Sequence, residues 1–393
     1  MSMAIAKPRI PTSARPRSDI FVDYSLLAPV LALALLGLIM VCSASITIAD
    51  RELSSPFYYL YRQALYIGIG VAAAIGAAMI SLEHWERFSP MLLLVGILML
   101  LLVLVIGREV NGSQRWLMLG PVNLQPSELV KLFVILYISG YLVRRGAEVR
   151  STMKGFLKPM GVLALIGLLL LLEPDFGATA VMTATALTLM FLAGVPLKRF
   201  AALIGMVLLA FVVLMLAAPY RVQRLTVFLD PWADPFNSGF QLTQALIAFG
   251  RGEWFGVGLG SSIQKLFYLP EAHTDFLFAV LAEELGLIGA IAVILLFGWI
   301  IWRAFTIGRL AAEKGMHFAS FLAFGLGTWI ALQAFINIGV NMGVLPTKGL
   351  TLPLMSYGGS SIVVMAVAVG LLLRIYHDVG VRDGLEPRRR ARA

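Results

Sequence analysis

The chain has 393 residues, of which 59% are hydrophobic and 13% charged, with a mean hydropathy of +0.87, which excludes a soluble globular domain. Its net charge of +9 comes without a basic, aromatic-bearing soluble surface, so a nucleic-acid partner is excluded as well. The single cysteine, Cys42, rules out an intrachain disulfide, and its place in an apolar run predicts a buried, inert thiol.

Residues 1–20 are polar, proline-rich and basic, and the apolar run behind them is too long for a cleavable signal. A helix needs about 20 apolar residues to cross roughly 30 Å of hydrocarbon. Ten such spans are predicted, near 24–48, 63–80, 88–106, 128–143, 159–172, 177–195, 200–218, 276–302, 318–344 and 360–375. The fifth is short and stops at Glu173-Pro174-Asp175, which predicts a broken or tilted end. None alternates as a membrane strand would. The predicted fold is an all-α membrane protein, a ten-span helical bundle with a long extracytoplasmic loop between spans seven and eight. With the N-terminus inside, most of the 31 Lys and Arg fall on the inner side, so both termini are predicted to be cytoplasmic. The organisation is then a basic tail over 1–20, a membrane domain over 21–378 with a large periplasmic loop at 219–274, and a second basic tail over 379–393. Arg388-Arg389-Arg390 in that tail suit the anionic headgroups of membrane lipids.

Two outer segments are long, 107–127 and 219–274. In the first, Arg115-Trp116 sets a fixed positive charge beside a ring; Arg suits pyrophosphate and Trp suits a sugar face, although Trp is also common at membrane interfaces. Glu128 and Lys131 are three apart at the outer end of span four, so they share a face and can pair, either structurally or at a substrate. In the second segment, Phe240, Leu242, Leu246 and Phe249 predict a short amphipathic helix at the interface. Gly256, Gly258 and Gly260 follow as turns or, alternatively, a phosphate nest.

Asp275 then stands where the polar stretch meets a long apolar run. It reads either as the N-cap of that helix or as a carboxylate poised between water and lipid. His273 can tune it or bind substrate. Glu283 and Glu284 lie deeper on other faces, which leaves open a polar pathway or interhelix hydrogen bonding. Between spans nine and ten, two prolines, several glycines and the solitary Lys348 predict a re-entrant or broken segment lining a cavity, with Lys348 an anion ligand. Ser360 lies at the end of this segment.

Five blocks make the arrangement resemble a known family: Asn111-Gly112-Ser113-Gln114-Arg115-Trp116, Gln125-Pro126-Ser127-Glu128, Glu173-Pro174-Asp175-Phe176-Gly177, Pro270 through Phe276, and Pro346 through Ser361. Together they resemble the SEDS family (shape, elongation, division and sporulation), and the runs around His273 and Lys348 resemble its cell-division branch. The resemblance implies a peptidoglycan glycosyltransferase that polymerises lipid II outside the bacterial inner membrane during septal wall synthesis. It implies Asp275 as general base, with Arg115, Trp116, Glu128, Lys131, His273, Lys348 and Ser360 as substrate-binding residues. A divalent cation, Mg or Mn, could share the charge of the pyrophosphate. The partners implied are a class B penicillin-binding transpeptidase, FtsI, and the divisome proteins FtsQ, FtsL and FtsB. Activity is expected to need the transpeptidase, because the 219–274 loop looks too glycine-rich to hold Asp275 rigidly. The alternative reading is a lipid II flippase in which Asp275, Glu283 and Glu284 form a path; a third is a noncatalytic scaffold.

Overall fold

The computed structural model describes residues 22–110, 113–119, 122–216, 228–237, 239–266, 268–346 and 349–390. Lys348, Asn111, Gly112 and the 1–20 tail therefore lie outside the described residues, as does the start of the 219–274 loop. The chain folds as α1 (Tyr24–Leu53), α2 (Tyr58–Met79), α3 (Leu82–Ile106), α4 (Pro126–Ser151), α5 (Met153–Leu172), α6 (Phe176–Leu192), α7 (Leu197–Leu216), α8 (Phe240–Gly252), α9 (Leu277–Glu313), α10 (His317–Asn341) and α11 (Gly359–Arg390). Among the described residues, eight of these helices are long and apolar enough to cross a membrane: α1 to α5 and α9 to α11. α6 is apolar but only 17 residues long.

Short strands β1 (Arg108–Val110), β2 (Ser113–Leu119) and β3 (Val122–Leu124) form an antiparallel sheet between α3 and α4. α4 and α10 form the interior of the bundle, whereas α3 keeps many apolar side chains on the outside. The start of α1 shows how polar groups are satisfied. Asp23 Oδ1 accepts the N–H of Ser25 at 3.1 Å, capping the helix, while Oδ2 takes Arg303 Nε at 2.6 Å. Cys42 on α1 is half-buried and lines a groove beside Lys265, so the expectation of full burial fails where α1 leaves that groove open.

The longest helix, α9, is broken at Gly286, whose φ of 67° and ψ of −167° suit a residue without a Cβ. The break is filled by loop backbone. Val257 and Gly258 donate to the carbonyls of Glu283 and Glu284 at 3.0 and 3.1 Å, and Leu287 and Ile288 donate to those of Glu253 and Trp254 at 2.9 and 3.2 Å. The glycines after 255 thus serve a turn. The two acids beside the break are tied to the same loop. Glu283 accepts Arg251 at 2.6 Å, Ser262 Oγ at 2.5 Å and the N–H of Ile263 at 3.1 Å. Glu284 accepts Lys265 at 2.7 Å and Ser43 Oγ at 2.7 Å. Both carboxylates are buried and paired, which matches the bonding reading and not an open path. α8 forms where the sequence expects it, but it packs Leu242, Ala245 and Ala248 into the protein, with Phe249 on Phe278 of α9 at 5.8 Å.

Between α10 and α11 the described residues 349–358 form no helix. Backbone this irregular survives inside a bundle only when protein groups satisfy it. Asn337 and Gln333 donate to the carbonyls of Leu350 and Thr351 at 2.5 and 3.1 Å, and Gln63 of α2 donates to that of Met355 at 3.3 Å. α11 runs to Arg390, past residue 378, so the helix continues into the stretch expected as a basic tail.

Candidate active site

A turn over 271–276 delivers Asp275 to the start of α9, closed by the N–H groups of Thr274 and Phe276 on the Glu271 carbonyl, each at 3.2 Å. The N-cap expected of Asp275 is not formed. Phe276 occupies the cap position without a side-chain hydrogen bond. Asn341 of α10 does the capping from outside the helix: its Oδ1 accepts the N–H of Ala279 at 3.1 Å. Asn341 Nδ2 and Asn337 Nδ2 both donate to the main-chain carbonyl of Asp275, each at 2.9 Å. Two buried amides thus grip the backbone of Asp275 from α10, a support outside the 219–274 loop. The half-buried carboxylate takes no hydrogen bond or ion pair among the described residues. Burial raises its pKa from 3.8 to about 7, with Glu271 and, more weakly, Asp175 adding to the rise and Arg115 opposing it.

Gly349 closes one side. A Cβ placed there would stand 3.0 Å from Asp275 Oδ2. Gly349→Ala is therefore expected to push the carboxylate aside and lower turnover about tenfold or more while the protein still folds, since a misplacement near 1 Å can reduce rate by up to about a hundredfold. Unchanged turnover with an intact melting curve would contradict this.

Arg115, on β2, faces the same region. Its Nε donates to the Glu173 carbonyl at 3.1 Å and its Nη2 to that of Pro174, which leaves three of its five donors unengaged among the described residues. Glu173 itself is fully buried with both carboxyl oxygens unpartnered among the described residues. Burial, with the nearby Asp175 charge, raises its pKa to about 8 against the opposition of Arg115, so it is largely neutral at pH 7. Asp175 caps α6 through the N–H of Ala178 at 3.1 Å. Among the described residues, the site thus brings together the Arg115 guanidinium, the unpartnered carboxyl of Asp275 and the largely neutral Glu173.

The chain matches the family model described as "Cell cycle protein", covering FtsW, RodA and SpoVE, over residues 24–380. The chain belongs to the SEDS family. It is 62% identical over 355 residues to a probable peptidoglycan glycosyltransferase FtsW of Nitrosococcus halophilus, covering 90% of this chain and 92% of that one. A protein of the same description from Thioalkalivibrio sulfidiphilus is 60% identical over 358 residues, covering 91% and 90%. Among solved structures, a chain from work on the structural coordination of polymerization and crosslinking by a peptidoglycan synthase complex matches with a TM-score of 0.73 at 31% identity, covering 91% of this chain and 98% of that one. Thermus thermophilus rod shape determining protein RodA, in an Asp-to-Ala variant, matches with a TM-score of 0.68 at 28% identity, covering 91% and 98%.

The other residues that the SEDS resemblance pointed to are placed unevenly. The His273 ring packs on Tyr59 at 4.6 Å and Tyr357 at 5.6 Å between centroids, and burial lowers its pKa, so it is a neutral member of an aromatic cluster. Trp116 is half-buried on β2, with Arg108 opposite it in the ladder. Ser360 Oγ bridges the N–H of Gln125 at 2.9 Å and the Asn123 carbonyl at 3.1 Å, joining α11 to β3. Glu128 and Lys131 pair at 2.9 Å, but inside the bundle rather than at an open edge: Lys131 is 1% exposed and also donates to Gln333 Oε1 at 2.9 Å. Their charges are committed within the protein, so they support the site rather than face a substrate. No group of three or more His, Cys, Asp or Glu is placed to hold a metal among the described residues.

Sequence reasoning missed Asn337 and Asn341. The signal was available: Gln333, Asn337 and Asn341 are spaced four apart on an otherwise apolar helix, which puts three amides on one buried face.

Proposed function

We propose that this chain is a peptidoglycan glycosyltransferase that polymerises lipid II at the division septum, with Asp275 as its general base. The observation that carries this reading is the carboxyl of Asp275, unpartnered among the described residues, gripped through its backbone and raised to about 7. Ionised, it takes the proton from the 4-hydroxyl of the acceptor GlcNAc. That oxygen bonds to the anomeric carbon of the donor MurNAc, whose bond to oxygen of undecaprenyl pyrophosphate breaks. The leaving group departs with the electron pair and its negative charge. The spare donors of Arg115 face that charge, and Lys348 is the second cation assigned to it. A neutral Glu173 favours this arrangement, because a second ionised acid would repel pyrophosphate.

In this reading the bundle has ten spans, with α6 and α7 completing the set, and both termini are cytoplasmic. The 219–274 loop is periplasmic, and the partner is the single-span class B transpeptidase FtsI, with FtsQ, FtsL and FtsB alongside. A flippase would draw on Glu283 and Glu284 as a path, but both are neutralised by loop cations.

The test is lipid II polymerisation by the protein reconstituted with its transpeptidase, measured against pH, with headgroup crossing followed in parallel. A base works only when unprotonated, so rate should climb with pH through about 7 and at pH 6 should be about a tenth of its plateau. A rate that is flat from pH 5.5 to 8, or headgroup crossing without polymer, would defeat the proposal.

A further inference from the structure

At the end of the bundle away from Asp275, a cavity of about 550 Å³ opens between the last turns of α4, the end of α6 and the start of α10. α10 has 25 residues, about 37 Å at 1.5 Å per residue, and its other end holds Asp275 through Asn341. The cavity therefore lies roughly a bilayer thickness from the acid. Arg144, Arg145 and Arg150 line it. The one acid in the wall, Glu148, is engaged by Arg145 at 3.0 Å and by Lys158 at 3.2 Å. Arg144 takes no hydrogen bond or ion pair among the described residues, and Arg150 makes a single long bond to the Ala193 carbonyl at 3.5 Å.

The backbone is shaped to gather these side chains. Arg145 leaves helical geometry, with φ −130° and ψ 16°, so α4 bends within the run of arginines that lines the cavity. Leu142 and Phe321 supply an apolar inner wall. His317, the first residue of α10, sits at the rim, and no side chain caps that helix start. We propose that this cavity binds the phosphate of an anionic phospholipid, with the guanidinium groups on the phosphodiester and an acyl chain against Leu142 and Phe321. Arginine forks match phosphate oxygens two at a time. Basic pockets between membrane helices are suited to anionic headgroups. A free phosphate ion shares the headgroup chemistry but has no use for the apolar wall. A bound lipid would join α4 to α10, the two helices at the centre of the bundle.

The test uses the full chain in detergent, with native mass spectrometry of retained lipid and thermal unfolding as readouts, so it does not depend on the reaction at Asp275. Phosphatidylglycerol should be retained over phosphatidylcholine by about tenfold or more, and the pair Arg144→Gln with Arg150→Gln should lose most of that preference. Arg309→Gln removes one charge at the same end outside the cavity and should leave the preference intact. Should the glutamine pair fail to fold, the lysine pair Arg144→Lys with Arg150→Lys keeps the charge but loses the fork, and should retain less phosphatidylglycerol than the parent. Equal retention by either arginine variant, or no preference in the parent, overturns the proposal. Protection by inorganic phosphate equal to that by phosphatidylglycerol also overturns it, because the site would then belong to the free ion.

Discussion

Replacing Asp275 with asparagine is expected to stop glycan polymerisation while raising the melting temperature of the protein at pH 8. Asparagine keeps the shape of the side chain but cannot accept a proton, and a lost general base typically lowers rate by about a hundredfold to ten-thousandfold. The stability gain follows from the same burial. The folded protein holds the Asp275 proton more tightly than the unfolded chain, with a pKa of about 7 against 3.8. Stability therefore falls as pH rises from about 3.8 to about 7, and the loss is complete above that window. A shift of about 3 units corresponds to at most about 4 kcal/mol. The uncharged amide of the Asp275→Asn variant escapes this penalty, so the melting curves of variant and parent should separate at pH 8 and converge near pH 4. A variant that still polymerises would remove the base; one that melts below its parent at pH 8 would remove the burial argument.

Lys131→Met is expected to destabilise the bundle by about 3–5 kcal/mol, the usual result of leaving one partner of a buried ion pair alone. Glu128 has one oxygen already without a partner among the described residues, and Lys131 supplies the bond to the other. The ammonium also stands 5.3 Å from the Trp329 ring centre and bonds Gln333. Gln333 in turn holds the Thr351 carbonyl, so the effect should reach the segment beside Asp275 and lower turnover too. Adding Glu128→Gln removes the stranded charge and should restore most of the melting temperature. A single variant that melts like its parent would show that the pair is not needed.

The spans were legible because hydrocarbon demands long apolar runs, but their limits were not. α2 begins at Tyr58 rather than near 63, because Gln63, polar by composition, is buried on the carbonyl of Met355. α4 continues beyond the apolar stretch to Ser151 across a kink at Arg145, since charged residues end hydropathy and the chain resumes helical geometry after them. The strands within 107–127 leave no mark in the sequence: each is short, and their pairing depends on contacts that no local pattern announces. Asp275 stood out because a carboxylate at a lipid boundary is rare. Its supports did not, because Asn337 and Asn341 act from a helix more than sixty positions away in the chain. Glu128 and Lys131 were paired correctly by spacing, whereas their depth depends on α10, which spacing cannot reveal.

The stretch 253–258 that plugs the gap at Gly286 does so with its peptide groups, and that leaves the side chains of Trp254 and Phe255 out of the plug. Trp254 and Phe255 turn outward, 64% and 82% exposed, while their neighbours' amides and carbonyls keep the seam closed. Mutations can therefore rewrite this outer face without shifting the frame on which the acid is mounted. Relatives that dock with different companions could diverge here and still share one reaction centre.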